Sequence, residues 1–418
     1  MMSISGVDLS ARWTQLVTEG HIVATTSLKD EEDSSELQVE YGVKFQGGKL
    51  IEFVSIVSET GASSHRERIQ GINETLASAQ RGNVDDAVQC VYDGPYVAQL
   101  QLVRTLRPQR STSMSSEATK SRCTPPPYDP STDSFLVGPL RLYGESGEFH
   151  GEGRPRELAA RLKVDRDEGR PSYWDVFHNV SPVDPRGHYL LLPANVDGGH
   201  GPAWREQSLS SADCYDLMFL ASTIEPKGSS VITFNSVGAG ASQNHIHCHL
   251  WHNPPIPLAG RGCYAAFQAE AESSLIIQEG LSISLLDYPC TCIKVSSSYS
   301  EAADRLTSLQ FASRALSKIV RLAQEKELPH NVAWINHSDS RNGVDAYVFF
   351  RRSEASTAIE GEFRGGGSEV LGLMHCTSKV QLDALAAKGT MECILDDFSF
   401  KPRQEIWVEV KRIIETQA

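Results

Sequence analysis

Near the middle of the chain, Asn235-Ser-Val-Gly-Ala-Gly-Ala-Ser-Gln-Asn-His245-Ile-His247-Cys-His249-Leu-Trp251 sets three histidines at i, i+2 and i+4 behind a glycine-rich run. On a β-strand alternate side chains share a face, so this spacing gathers three imidazoles on one side and Ile246 and Cys248 on the other. A helix would scatter the same residues around its axis. The spacing therefore predicts a strand from His245 to Trp251, inside a sheet that can hold it.

Composition sets the outer limits. The 418 residues are enough for one large or two ordinary domains, and 40% hydrophobic with 22% charged residues is ordinary for a globular chain. A formal charge of −14 argues against nucleic acid as a partner, while leaving room for a local basic pocket around a small phosphorylated ligand. The first residues lack a basic segment followed by an apolar one, and no apolar run is long enough to span a bilayer. The expectation is a cytoplasmic protein with no membrane partner. Nine scattered cysteines without a Cys-x-x-Cys pair read as reduced thiols; Cys290-Thr-Cys292 reads as strand residues rather than half a metal site.

Taken in order, residues 1–64 read as a strand-rich segment, with Leu37–Phe45 and Leu50–Val57 alternating around Gly47-Gly48. Arg66–Gln80 carries helical spacing at Ile69, Ile72 and Leu76. Tyr96–Leu102 reads as a strand that runs into Arg104, Arg107 and Arg110. Residues 111–127, rich in Ser, Thr and Pro, read as a flexible insertion. A short helical signal lies around Arg156–Leu162. Trp174–Ser181 and His188–Pro193 form a hairpin about a Pro-rich turn, Leu209–Ala221 a helix behind a Ser cap, and Val231–Asn235 a strand entering the glycine loop. Leu281–Val295 ends in a strand, 302–327 is a long amphipathic helix, and 329–336 with 346–352 is another hairpin. The pattern predicts an α+β fold with antiparallel sheets and packed helices. The second half reuses the strand–turn–strand–helix order of the first, hinting at duplication, though no fixed period repeats.

The histidine stretch admits three chemistries. Three imidazoles on one face have the count of a catalytic zinc site. As a structural feature they would pack poorly and need polar partners. As a nucleophile on phosphorus, the middle imidazole would attack, its neighbours would orient it and manage protons, and the loop before it would offer backbone N–H groups to phosphate oxygens. Only the third reading uses the small residues from Gly238 to Ser242, so residue types favour nucleotidyl chemistry over a metal.

The same residues resemble a known family. Asn235-Ser-Val-Gly, Asn244-His-Ile-His-Cys-His249 and Pro254-Pro-Ile-Pro257 are similar to the active-site segment of the histidine triad superfamily, in its galactose-1-phosphate uridylyltransferase-like branch. The likeness is nearest to the GDP-L-galactose and GDP-D-glucose phosphorylases. Tyr96-Val-Ala-Gln-Leu with its arginines, Tyr128-Asp-Pro, Asn179-Val-Ser-Pro, Gly187-His-Tyr-Leu-Leu-Leu-Pro, Leu285-Leu-Asp-Tyr-Pro, Pro329-His-Asn-Val and Glu369-Val-Leu-Gly follow in that family's order. The resemblance covers roughly residues 65–418, which it implies are one catalytic domain of histidine-triad-like sheets.

It implies an enzyme without cofactor or metal that takes a nucleotide-sugar and inorganic phosphate. His247 would attack the α-phosphorus of a GDP-hexose, expelling hexose 1-phosphate and leaving GMP on the imidazole; phosphate would then accept the GMP as GDP. His245 would orient the nucleophile and His249 would hydrogen-bond the transferred phosphate. Asn235, Gly238 and Ser242 would hold phosphates, with Gln99, Arg104 and Arg107 in the nucleotide site and His188 supporting the imidazoles. A homodimer is common among such relatives. Plant-type members carry Gln at the position of His249, and in the wider superfamily His there accompanies hydrolysis. Tyr128-Asp-Pro lacks the Asn-Phe expected after it. A dinucleoside polyphosphate phosphorylase or a nucleotide hydrolase is thus the alternative.

Overall fold

The computed structural model describes residues 88–101, 123–127, 160–166, 171–178, 188–194, 205–224, 230–252, 265–278, 280–300, 305–336 and 342–416. For strands at 26–28, 39–46, 49–57, 135–137, 141–143 and 149–150 the backbone alone is described. Val39–Gln46 and Lys49–Val57 pair antiparallel, in keeping with the expected N-terminal hairpin. The boundary at residue 64, the helix expected at 66–80, Arg104, Arg107, and 111–122 of the expected insertion lie outside the described residues. The last residues of that insertion are held: Cys123 is buried, and Asn244 Nδ2 donates to the Pro126 carbonyl at 2.6 Å.

The core is built on a ten-stranded antiparallel sheet. Its first half comprises β1 (Ala160–Val164), β2 (Ser172–His178), β3 (His188–Pro193), helix α1 (Ser211–Thr223), β4 (Ser230–Asn235) and β5 (Cys248–His252). The second comprises β6 (Ala271–Gln278), β7 (Leu281–Leu286), β8 (Cys292–Tyr299), helix α2 (Arg305–Glu325), β9 (His330–Asn336) and β10 (Asn342–Phe350). Across the sheet the order is β6-β7-β8-β10-β9-β4-β5-β3-β2-β1. Each half therefore places its five strands in one order, the fifth inserted between third and fourth, and the halves meet where β4 pairs β9. This is the architecture of a duplicated unit joined about a two-fold centred near Thr233 and Ala333, which face each other in the register. The α+β class is as the sequence predicts.

Period-two patterning decides which face each strand gives to which layer. Ile232, Phe234, Cys248, Leu250, Val332, Trp334, Val344, Ala346 and Val348 pack under α1 and α2 in one continuous apolar layer. Val231, Trp251, Ala333, Tyr347 and Phe349 point the other way, into a second layer. That layer is closed by a small sheet of Val88–Asp93, Tyr96–Gln101 and Leu373–Cys376, and by the helix Thr390–Phe398. Helix α1 starts as its sequence predicts: Ser210 Oγ accepts from Asp213 N at 3.2 Å, and the Asp213 carboxylate accepts from Ser210 N at 2.9 Å, a reciprocal capping box.

Two expectations are corrected. The helical signal at 156–162 gives way to strand β1, where Leu162 and Val164 are buried and Arg161 forms a two-pronged ion pair with Asp175 on β2 at 2.7 and 2.9 Å. Alternating burial at a sheet edge outweighs a weak local helical preference. In addition, 281–295 holds two strands, β7 and β8, joined through Asp287–Thr291.

Candidate active site

The histidine stretch lies at the entry to β5, on the face turned away from α1 and α2. The strand itself begins at Cys248, so His245 and His247 occupy the irregular segment before it and only His249 is on the sheet. The face argument made for the stretch thus holds for His249 and Trp251 alone. Ile246 N instead donates to Arg205 O at 2.8 Å, making a strut alongside residues 205–207. Tertiary partners hold the backbone of this segment, and neighbouring carbonyls within it hold the first two imidazoles.

Those partners fix each ring. His247 is 3% exposed, and its Nδ1 lies 2.7 Å from the carbonyl oxygen of His245. A carbonyl can only accept, so Nδ1 carries a proton and the neutral form of the ring has its lone pair on Nε2. His245 is fully buried, its Nδ1 likewise donating to Ile246 O at 3.2 Å. Burial pushes its pKa down to about 4, so this imidazole is neutral at physiological pH. The Nδ1 of His249 lies 2.9 Å from His188 Nε2, and its ring meets His247 edge-on at 5.2 Å between centroids. His188 sits on β3, where its backbone pairs Trp251, and its ring stacks on the Trp251 indole at 3.8 Å.

Gln207 ties the nucleophile to the loop. Its Oε1 accepts from His247 N at 3.0 Å, and its Nε2 donates to Asn235 O at 2.8 Å and His247 O at 3.3 Å. Asn244, next to the first histidine, accepts from Gln207 N at 3.2 Å. No motif in the sequence singles out Gln207; it precedes the capped helix in an ordinary polar run.

The glycine loop leaves β4 at Asn235 and turns through Gly238 and Gly240, with φ of 71° and 96°. Both angles lie in the region that favours glycine. A second glycine run, Gly365–Gly367, abuts the first: a Cβ on Gly240 would stand 2.7 Å from Gly366 Cα, and one on Gly367 would stand 2.9 Å from Thr233 Cβ. The Gly240 N–H donates to a Glu354 oxygen at 3.1 Å, and Glu354 also pairs with Arg364 at 2.9 Å. Ser242 is exposed at the end of the loop.

Behind the loop, fully buried Arg351 donates to Asn331 Oδ1 at 2.9 Å, Gly365 O at 2.8 Å and Ser353 O at 3.0 Å, and reaches Ala239 O at 3.4 Å. Burial lowers its pKa to about 10, against the pull of Glu354 and Glu369 among its neighbours, so the guanidinium stays charged at neutral pH. Gln99, fully buried, is a layer further back: its Nε2 lies 2.8 Å from His375 Nδ1, and His375 stacks on Trp251 at 5.7 Å.

The structure thus brings together His188, His245, His247 and His249, ties Asn235 to His247 through Gln207, connects Gln99 through His375 and Trp251, and leaves Gly238 in the turn of the loop and Ser242 exposed at its end. It adds Gln207, Arg351 and His375, which no local pattern announced, and gives contacts to Trp251 and Asn331, which lie in the histidine stretch and in Pro329-His-Asn-Val. Among the described residues no group of three or more His, Cys, Asp or Glu side chains is arranged to hold a metal ion. None of the described helices is long and apolar enough to cross a membrane.

No family model and none of the curated proteins matches this chain. Among solved structures it is similar to yeast Ap4A phosphorylase Apa2 in complex with AMP, at a TM-score of 0.42 and 12% identity over 80% of this chain and 96% of that one. At that overlap the likeness says nothing about activity or substrate.

Proposed function

We propose that the protein transfers a nucleotidyl group through a covalent intermediate on His247 Nε2, cleaving a GDP-hexose with inorganic phosphate. The observation that carries this reading is the contact between His247 Nδ1 and the His245 carbonyl. It makes Nδ1 the donor, so that in the neutral ring the nucleophilic lone pair belongs to Nε2, and this ring follows directly on the glycine loop. In the first step Nε2 bonds to the α-phosphorus and the bond to the hexose 1-phosphate oxygen breaks. In the second, a phosphate oxygen attacks the same phosphorus, the N–P bond breaks and GDP leaves. The first step passes the negative charge to the departing hexose 1-phosphate; in the second the leaving group is the His247 imidazole, which returns to its starting tautomer. The resemblance of 235–257 to the histidine triad superfamily supports nucleotidyl transfer, and the outlying segments from Tyr96 to Gly372 support a GDP-hexose as the substrate class.

A second reading rests on His249. Its Nδ1 is engaged by His188 and its ring meets His247 edge-on, and an imidazole so placed can protonate a leaving oxygen through Nε2. That favours a dinucleoside polyphosphate substrate or water as acceptor. Both readings are tested by incubating the protein with GDP-L-galactose, GDP-glucose and diadenosine tetraphosphate, each with and without phosphate, and separating the products. Phosphate-dependent release of GDP from a GDP-hexose is expected. GMP release indifferent to phosphate makes the protein a hydrolase. Full turnover by His247→Asn removes the covalent mechanism under either reading.

A further inference from the structure

Two asparagines and one arginine stand in series behind the glycine loop. Arg351 has only donors, and its Nη1 lies 2.9 Å from a side-chain oxygen of Asn331, which must be Oδ1. The other end of that amide is therefore Nδ2, and it donates twice, to the Ala239 carbonyl at 2.8 Å and to Asn235 Oδ1 at 2.9 Å. Because the Ala239 carbonyl accepts only, it fixes Asn331 in the same sense as Arg351 does. Asn235 is then fixed in turn: with Oδ1 engaged, it presents Nδ2, whose hydrogens have no partner among the described residues. Both asparagines are at least nine-tenths buried, Asn331 at 1% and Asn235 at 7% exposure, so water does not scramble their orientation.

We propose that Arg351 and Asn331 are positioning residues that set the hydrogen-bond polarity of Asn235, so that this side chain meets the ligand as a donor, which a phosphate oxygen accepts and a cation does not. This deepens the nucleotidyl-transfer reading and rests on it. It also gives the second half of the duplicated sheet a task. Asn331 on β9 and Arg351 just past β10 never touch the phosphate, yet they decide what the first half's loop offers it. The β4–β9 register, which sets Asn235 opposite Asn331, is what makes the series possible.

The discriminating variant is Asn331→Asp. An aspartate there still accepts from Arg351 but cannot donate, so Asn235 must turn its Nδ2 inward and face the ligand with Oδ1. A purely structural role for the pair predicts a loop loosened at Ala239, whose carbonyl loses its donor, with guanosine and phosphate-bearing ligands weakened alike. The polarity role predicts a folded protein whose Kd for inorganic pyrophosphate and for GMP, by calorimetry, rises at least tenfold, with guanosine changed less than twofold. Arg351→Lys keeps a donor-only group and is expected to hold pyrophosphate within about threefold of wild type. Side-chain amide spectra read the orientation without any ligand: in the wild type the Asn331 amide protons are hydrogen-bonded and slow to exchange while those of Asn235 are not, and Asn331→Asp transfers that protection to Asn235. Protection of Asn235 already in the wild type overturns the proposal even if the variant does not fold. So does pyrophosphate affinity unchanged in a folded Asn331→Asp. Wild-type protein that shows the expected amide pattern yet binds neither pyrophosphate nor GMP sinks the phosphate-loop reading instead, and the proposed role with it.

Discussion

His188 Nε2 and His249 Nδ1 lie 2.9 Å apart on neighbouring strands, so one proton is shared across the β3–β5 pair at the edge of the candidate active site. Only one of the two nitrogens holds that proton, and the choice of tautomer determines whether His249 Nε2 faces the site as donor or acceptor. The Trp251 indole, stacked on His188 and donating through Nε1 to Thr233 Oγ1 at 3.2 Å, keeps the pair in register.

His188→Phe retains a ring for Trp251 to stack on but removes the shared proton. We expect kcat to fall about tenfold with little change in KM, because His249 loses its orientation rather than its presence. Steady-state kinetics over a pH series checks this, and the bell of kcat against pH should change shape. A variant with an unaltered pH profile and unaltered kcat would show that His249 is positioned by other contacts.

Gln207 bonds to His247 N, His247 O and Asn235 O from a fully buried position. Gln207→Ala leaves a buried amide and two carbonyls without that partner and opens space beside them. A loss of about 2–4 kcal/mol in urea-unfolding free energy is expected, with activity falling further than stability. Gln207→Glu should recover part of the stability but not the two donated bonds.

Gly240→Ala combines a positive φ with a Cβ placed 2.7 Å from the Gly366 backbone. The neighbour is main chain and cannot turn aside. We expect a cost of about 1–3 kcal/mol and a raised Kd for phosphate-bearing ligands, since the two glycine runs must part. Gly361→Ala serves as control: φ is 85° there, but no atom lies within 4 Å of the added carbon, so only the backbone term of about 1 kcal/mol applies.

Acid should destabilise the fold through two imidazoles. Burial lowers the pKa of His245 and of His330 to about 4, against an ordinary 6.5 when unfolded. Between those values the unfolded chain takes up protons that the folded one refuses, so stability is full above pH 6.5 and declines as pH falls toward 4. Each group's contribution to that loss is at most on the order of 3 kcal/mol. Denaturation midpoints at pH 7.5, 6, 5 and 4 measure it. His330→Asn should flatten the slope by roughly half, because His330 N bonds Ser236 through the backbone and that contact survives.

Much of this was legible in the sequence because it depends on near neighbours. Alternation marked β2, β3, β4 and β9, Ser210 marked the start of α1, and the glycines before the histidines marked a loop needing positive φ. Where the local signal was weak, as at 156–162, pairing with β2 decided the outcome. The strand forecast for His245 and His247 failed for a related reason: the strut from Arg205–Gln207 takes their backbone groups before the sheet can.

The sequence by itself determined that imidazoles, glycines and an asparagine would share one short segment, since covalent connection alone keeps 235–251 together. Only the tertiary structure decided how the backbone of His247 is held and which end of Asn235 is engaged, and that Gln207, Asn331, Arg351 and His188 supply those contacts from elsewhere in the chain. Those are orientations, set by hydrogen bonds between residues up to 112 positions apart in the sequence, and the ones from Asn331 and Arg351 exist only once the duplicated halves are joined along β4 and β9.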